Sequence, residues 1–518
     1  MNYDKCVLYP LSETKVEDTR FLLEHNNFKV LGITIGKNKE INQSRNVAVK
    51  NTQIDYTLTR WSQRQLSLIG KILITKAHAM SKLIHTMSIT EVSKDKLKYV
   101  QQKVTKFIWS GKPPKVRHNV LVCPYKEGGL NALDVDCQYK ALKIPWIWRL
   151  LSSKNWNSTI NHMLTRVGGT NFLIHCNYDK QTVSFLPTFY KEIFLFWQEI
   201  FSPMYRPDLI IWNNKNIKIA GKTIYIKELA EHNVIFIHDL MTQSHSFLQY
   251  TEFRDTKKLH ISHRTYNTLI RAIQRYIQSN RRMEELLKED KPNIDFSSTK
   301  YRMITGKIVD VSQAKSREYY REFLELKTGF TASALLKWTE NYNVDEEIFY
   351  DSLPRAKKST TDTKLISFQF KIIHNIINNR ENLYKWKISD SNTCRKCSEN
   401  AKEDIVHEFV TCKWSKMAIH AIGKDLDLLD SFKQIKHTEL IFGVSDESIN
   451  CILLLTKYVI HKCRQDEKPL HINFFRNELF KQIICDKRTL KPWIFAQKWG
   501  KFKCLIDKAQ QFCDTLCV

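Results

Sequence analysis

From Trp61 to Met87 the apolar residues Leu66, Ile69, Leu73, Ala77, Met80, Ile84 and Met87 recur every three or four positions. At 3.6 residues per turn they line one side of a helix. Arg64, Lys71, Thr75, His78, Lys82 and His85 keep the same spacing and fall on the opposite side. One face can therefore bury while the other carries positive charge and imidazoles. A second helix is expected over Ser93–Trp109, with Leu97, Val100, Val104, Phe107 and Ile108 inward. The run Gly111-Lys-Pro-Pro-Lys-Val-Arg117 then breaks the helix and adds a basic loop. Glycine and proline are scarce throughout, 14 and 12 in 518 residues, while Lys, Leu and Ile abound. The expected fold class is mainly α.

Charge narrows the partner. Lys and Arg total 81 against 54 Asp and Glu, a net +27. Between Arg60 and Arg117 there are thirteen Lys/Arg and two acids, Glu91 and Asp95. That density on an ordered amphipathic scaffold fits a surface that follows a phosphate backbone. Arg64, Lys71, Lys82, Lys112, Lys115 and Arg117 are the candidate phosphate contacts. The plainer alternative is a solvated helix face. An acidic membrane is the other anionic partner, but no helix joins the charge stripe to an exposed apolar face. The most apolar run, Cys451–Ile460, is short and contains Lys457, so no span of a bilayer is expected. The N-terminus lacks a signal-peptide pattern, which points to an intracellular protein of nucleus or cytoplasm. The thirteen cysteines are odd in number and scattered, so most are expected to be reduced.

The chain reads as four consecutive segments: 1–58, 59–150, 151–365 and 366–518. In the first, Cys6-Val-Leu-Tyr and Phe28–Gly36 are strand-like. Two short strands cannot bury a sheet alone, so they look like the edge of one. In the third, Trp146, Trp148, Trp156, Phe185, Phe189, Phe194, Phe196 and Trp197 are assigned to core packing and not to base stacking. Asp208 is assigned to a turn before a strand Leu209–Trp212, with further short strands at Ile217–Ala220 and Thr223–Ile226. Tyr266–Ile277 is an amphipathic helix, and Lys288–Lys300 and Arg355–Thr363 are candidate linkers.

Cys394-x2-Cys397-x9-His407-x4-Cys412 is the sharpest chemical signal. Zinc takes four soft or borderline ligands in a tetrahedron, and a Cys-x2-Cys turn supplies two from one tight loop. Four protein ligands leave no open position, so the expected cofactor is a structural zinc. Four unrelated core residues are the alternative. His374, inside an apolar run, is expected to be a core residue and not a fifth ligand.

Taken in order, Asn2–Cys6, Phe28–Ile33, Trp61–Ile74, Lys106–Lys112 and Glu127-Gly-Gly-Leu-Asn131 resemble reverse transcriptases of long interspersed (non-LTR) retrotransposons. The resemblance extends through Phe368–His374, Leu383–Ile388 and the cysteine–histidine cluster to cover essentially the whole chain. It implies the end of a palm with its primer-grip hairpin in 1–58 and a thumb in 59–150. It implies a connecting region in 151–365 and a zinc-binding tail in 366–518. Implied partners are template RNA, an RNA–DNA hybrid or target DNA. Polymerisation in that family needs a palm Asp and an Asp-Asp pair holding two metal ions. No Asp-Asp dipeptide occurs here. The expectation is therefore a truncated C-terminal part, not an enzyme as it stands, that binds RNA or DNA. The alternatives are part of a complete RNA-directed DNA polymerase with its N-terminal half elsewhere, or a non-functional relic.

Overall fold

The basic stripe is built on two helical stretches, and the first of them breaks where the spacing expected continuity. A computed structural model describes residues 6–10, 22–24, 26–152, 158–202, 207–259, 261–328 and 333–516. Asn2–Lys5 of the family resemblance and Trp156 lie outside these described residues. Trp61 closes a helix spanning Lys39–Ser62, and a new helix, Leu68–Ile74, begins at Ser67. The Ser67 hydroxyl accepts the Gly70 amide at 3.0 Å, an N-cap that fixes the start. Thr75–Met80 is a wide π-helical turn, followed by Ser81–Ile89 in α geometry. The extra residue in that turn changes the helix phase. Ile69, Ile72, Ala79, Met80, Leu83 and Met87 are therefore buried, whereas Leu73 and Ile84 are exposed. Helix Lys94–Ile108 follows the expected pattern, with Leu97, Val100, Val104, Phe107 and Ile108 all buried. It ends at Ser110 and Gly111, both with positive φ.

Helices carry nearly all the regular structure. Among the described residues the strands form four pairs, each of two to four residues per strand. The N-terminal hairpin pairs Asn27–Val30 with Ile33–Gly36, and Val7–Leu8 pairs in parallel with Leu22–Leu23. Asn46 of the long first helix clamps the hairpin: its amide accepts the Thr34 N–H and donates to the Thr34 carbonyl, at 2.8 and 2.9 Å.

By internal contacts the chain divides into two units, each discontinuous in sequence. Unit 1 comprises 1–52, 82–100 and 134–327; unit 2 comprises 53–81, 101–133 and 328–518. The expected segments 59–150 and 151–365 each contribute to both units.

Unit 1 has an aromatic core. Trp197 and Trp212 are fully buried, and their indole N–H groups donate to the Ile174 and Val234 carbonyls. Helix His263–Ser279 buries Leu269, Ala272 and Tyr276 as its spacing requires. Leu209–Trp212 is not a strand. Pro207–Leu209 forms a 3-10 turn, and Ile210 makes a single bridge to Phe236. Nor is Lys288–Lys300 a connection between units, since both flanks belong to unit 1. It is tied down where the Lys291 ammonium meets the buried Asp239 carboxylate at 2.5 Å.

Unit 2 is organised on Glu447–Gln465, a helix buried on almost every side. Arg355–Thr363 is not a linker but part of this unit. It forms helix Arg355–Ser359 and the cap of helix Thr363–Ile373. Ser359 accepts from Asn450 through its hydroxyl at 2.7 Å and from Lys498 through its carbonyl at 2.6 Å. Small polar residues here satisfy one another in the interior, a pattern that composition alone reads as a loop. His374 is buried, its Nε2 2.7 Å from the Gly128 carbonyl, and burial holds its pKa down to about 4. Among the described residues no helix is long and apolar enough to cross a membrane.

Candidate metal centre and its basic surroundings

Cys394 and Cys397 stand at the end of a short antiparallel ladder in unit 2. Thr393 bridges Lys402, and the Cys394 and Glu403 amides donate to the Ala401 and Asn392 carbonyls at 2.9 Å. Asn400 turns the loop with a φ of +46°. The Lys396 amide lies 3.4 Å from the Cys394 sulfur, so the loop itself supports a thiolate.

His407 and Cys412 come from a second π-helical turn, His407–Thr411. In an α-helix residues five apart point about 140° away from each other. Here the Cys412 amide donates to the His407 carbonyl at 3.0 Å, the i+5 to i bond of a π turn, which stacks the two residues. The Asp404 carboxylate accepts the His407 amide at 2.7 Å, and Thr411 Oγ1 lies 3.2 Å from His407 Nδ1. Nε2 is thereby left to face the cysteines.

One ligand atom from each of Cys394, Cys397, His407 and Cys412 lies within 4.8 Å of the other three. Cys397 Sγ and His407 Nε2 are 3.5 Å apart. A tetrahedral zinc with ordinary bond lengths sets that edge at about 3.6 Å. Donor set and spacing thus fit zinc. The bound ion would cross-link the 394–397 loop to the start of helix Lys413–Asp425, with no position open for substrate. A hydrogen bond between Cys394 and Cys412 favours the thiolate on Cys412, whose pKa is held down to about 6, helped by the Ser415 amide and Arg464. The same bond raises Cys394.

Behind the ligands lies a buried ionic network. Arg464 donates to Cys394 Sγ at 3.2 Å, Glu403 Oε2 at 2.8 Å and Ser415 Oγ at 2.9 Å. Burial pushes the Glu403 carboxyl up to about 7, despite the guanidinium beside it. Glu408 is fully buried and bonds His461 Nδ1 at 2.6 Å. Three thiolates around a divalent ion carry net negative charge, and Arg464 is placed to offset it. The sequence marks Arg464 only as positive charge near a helix end. Its role depends on a fold that brings together residues some seventy apart.

The structure separates the candidate phosphate contacts. Arg64, Lys82, Lys112 and Arg117 are exposed. Lys71 is not a surface residue: it is 8% exposed, and its ammonium reaches the Ser110 hydroxyl. The π turn and the cap at Ser67 place it on the inward side. Lys115 is half-buried, bonded to Asn378 Oδ1 at 3.0 Å and lying 3.5 Å over the Trp386 ring. Burial, then Lys371 and Lys112, bring its pKa down to about 8. Lys82 belongs to unit 1 and the other five to unit 2. Lys364 and Lys371, which carry no signal in the sequence spacing, and Lys462, marked there only as positive charge near a helix end, line a cavity of about 320 Å³ in unit 2.

Four convergent ligands with no open position define a closed structural metal site. Residues 354–418 match the family model described as zinc-binding in reverse transcriptase. The chain is also 30% identical over 108 residues to an Arabidopsis thaliana protein described as "Putative ribonuclease H protein". That likeness covers 20% of this chain and 17% of the relative's length. The chain thus carries a zinc-binding segment of the reverse-transcriptase type.

Proposed function

We propose that this chain is the nucleic-acid-gripping part of a non-LTR retrotransposon reverse transcriptase. Its basic thumb-like helices and structural zinc centre hold RNA or DNA, and the chain has no polymerisation chemistry of its own. The observation that carries this reading is the Cys3His cluster, lying inside the segment that matches the reverse-transcriptase zinc-binding family. The net charge of +27 and the exposed Arg64, Lys82, Lys112 and Arg117 support it. The Arabidopsis relative is likewise named for nucleic-acid chemistry. The absence of an Asp-Asp dipeptide supports the lack of polymerase activity.

Binding of labelled RNA and DNA to the full chain, titrated with salt, tests the grip. Affinity falls steeply with salt and depends little on sequence. Affinity unchanged from low to high salt contradicts the reading. Primer extension with magnesium tests the second half, and any templated product refutes it.

A further inference from the structure

Two cavities of unit 2 flank Asn378. The first, about 320 Å³, carries Lys364, Lys371 and Lys462 on its walls, with Asn378 at its edge. The second, about 290 Å³, carries Lys115, Arg117, Lys337 and Lys385 with the Trp386 ring. Asn378 joins them, because its side-chain carbonyl accepts the Lys115 ammonium at 3.0 Å. No carboxylate lines either cavity. Among the described residues, Lys115, Lys364, Lys371 and Lys462 have no acidic partner within ion-pair distance. Some buried cations of the protein have a carboxylate partner, as at Lys498–Asp486 and Arg464–Glu403, and others, such as Lys457 and Lys143, rest on neutral acceptors, but these are single charges and not a cluster.

Crowding like charges in a recess without a counter-ion is unfavourable, and the lysines register it. Lys371 is depressed by burial and then by Lys71 and Lys462, and Lys115 by burial and then by Lys371 and Lys112. Such a cluster is relieved by an anion that brings several charges along one line. Shape selects the form of that anion. A duplex presents its phosphates on a convex ridge, which exposed lysines on a flat or gently concave face can reach. Here Lys115, Lys371 and Lys462 are half-buried in the walls of recesses that each have about the volume of one small ligand, and Lys364 and Arg117 stand exposed beside them. A lone strand can lower its backbone into them, where Trp386 and Tyr458 are among the lining residues.

We propose that the two cavities on either side of Asn378 form one track for the phosphodiester backbone of a single strand of nucleic acid. Lys364, Lys371 and Lys462 hold one stretch and Lys115 the next. The inference rests on the nucleic-acid reading above and places the strand along the zinc-binding segment itself, which supplies Lys364, Lys371 and Asn378, with Lys115 and Lys462 from outside it.

The test compares the zinc-loaded full chain with Lys364→Gln/Lys371→Met/Lys462→Gln, using fluorescein-labelled oligo(U) and a labelled RNA duplex. Zinc content and melting temperature of each variant establish that it is folded. Should the triple variant lose zinc, Lys364→Gln/Lys462→Gln alone serves, because it leaves the half-buried Lys371 in place. The expected result is a loss of about tenfold or more in oligo(U) affinity, with a salt slope reduced by about 2 for three lost phosphate contacts. Duplex affinity should change much less. Unaltered oligo(U) affinity and slope in the variants overturn the track. If Arg64→Gln/Lys112→Gln abolishes oligo(U) binding while the track variant does not, the track fails and the nucleic-acid reading stands. If the unmodified chain binds neither probe, both fall.

Discussion

Arg464 offers the strongest test of how the metal centre is supported. The residue is 8% exposed, and its guanidinium donates to the Cys394 sulfur, a buried carboxylate and a buried hydroxyl. Arg464→Met keeps much of the side-chain length and removes all three bonds. Glu403 Oε2 then loses its donor inside the protein, while Oε1 keeps the Arg380 amide at 3.1 Å. Breaking one partner of a buried ion pair costs about 3–5 kcal/mol. The value expected here is near the lower end, because Glu403 is already pushed up to about 7 and can escape by protonation. Loss of the Cys394 hydrogen bond weakens zinc by about 10–100-fold, as for other groups that support metal ligands. Denaturant unfolding of the zinc-loaded protein measures the first effect, and competition with a chromophoric chelator measures the second. The double variant Arg464→Met/Glu403→Leu separates them. Replacing both charges with apolar groups restores most of the stability but not the zinc affinity, since Cys394 still lacks its donor. If Arg464→Met leaves zinc affinity within twofold of the unmodified protein, the supporting role is wrong.

Other consequences can be measured as directly. Removing zinc with a chelator lowers the melting temperature by several degrees or more, and zinc restores it where magnesium does not; a melt indifferent to chelator excludes a structural ion. Lys457 is buried with only Gln369 Oε1 and the Ile441 carbonyl as partners, and burial pushes its pKa down to about 7 from 10.5. The unfolded chain binds a proton there that the fold disfavours, so stability rises with pH between about 7 and 10.5, and the full penalty of about 5 kcal/mol is present below 7. Lys457→Met therefore flattens the pH dependence in that window and stabilises the protein at pH 7; parallel curves for the two proteins contradict this. A Cβ on Gly129 would meet the Cys123 carbonyl oxygen at 2.0 Å, whereas one on Gly128 has its nearest neighbour at 3.6 Å despite a φ of +83°. Gly129→Ala is thus expected to cost more than about 3 kcal/mol and Gly128→Ala about 1–2, read from denaturation midpoints.

What the sequence revealed followed from locality. The candidate zinc ligands lie within one short stretch, so spacing alone singles out the four that the fold brings within 4.8 Å of one another. Helix Lys94–Ile108 and helix His263–Ser279 each bury a full apolar stripe, and their faces were readable for that reason. Glu127-Gly-Gly-Leu-Asn131 reads as a motif because two adjacent glycines answer different demands, one conformational and one steric. The failures share a cause as well. Helix Lys39–Ser62 buries mainly Val47, Ile54 and Leu58 along a narrow stripe, too sparse for its periodicity to stand out. Ser67 has no signal in the 3.6-residue spacing, yet it caps the following turn and donates to Thr363 Oγ1 at 2.9 Å. An unbroken 3.6-residue period puts Lys71 on the surface, whereas a cap and a π turn place it inward. Arg355–Thr363 reads as a linker because Lys498, Asn450 and Gly443, which fix it, lie far along the chain.

The wide turn at His407–Thr411 has a consequence beyond ligand placement. A backbone winding of this kind is less favourable than the α form, and the cluster is what rewards it. An emptied cluster would release the turn to rewind by one residue, rotating whatever follows by roughly a quarter of a circle or more. Ser415, which holds Arg464, sits in the very next turn. Metal occupancy is therefore written into the azimuth of helix Lys413–Asp425, where a spin label on its exposed Met417 could read it from outside the cluster.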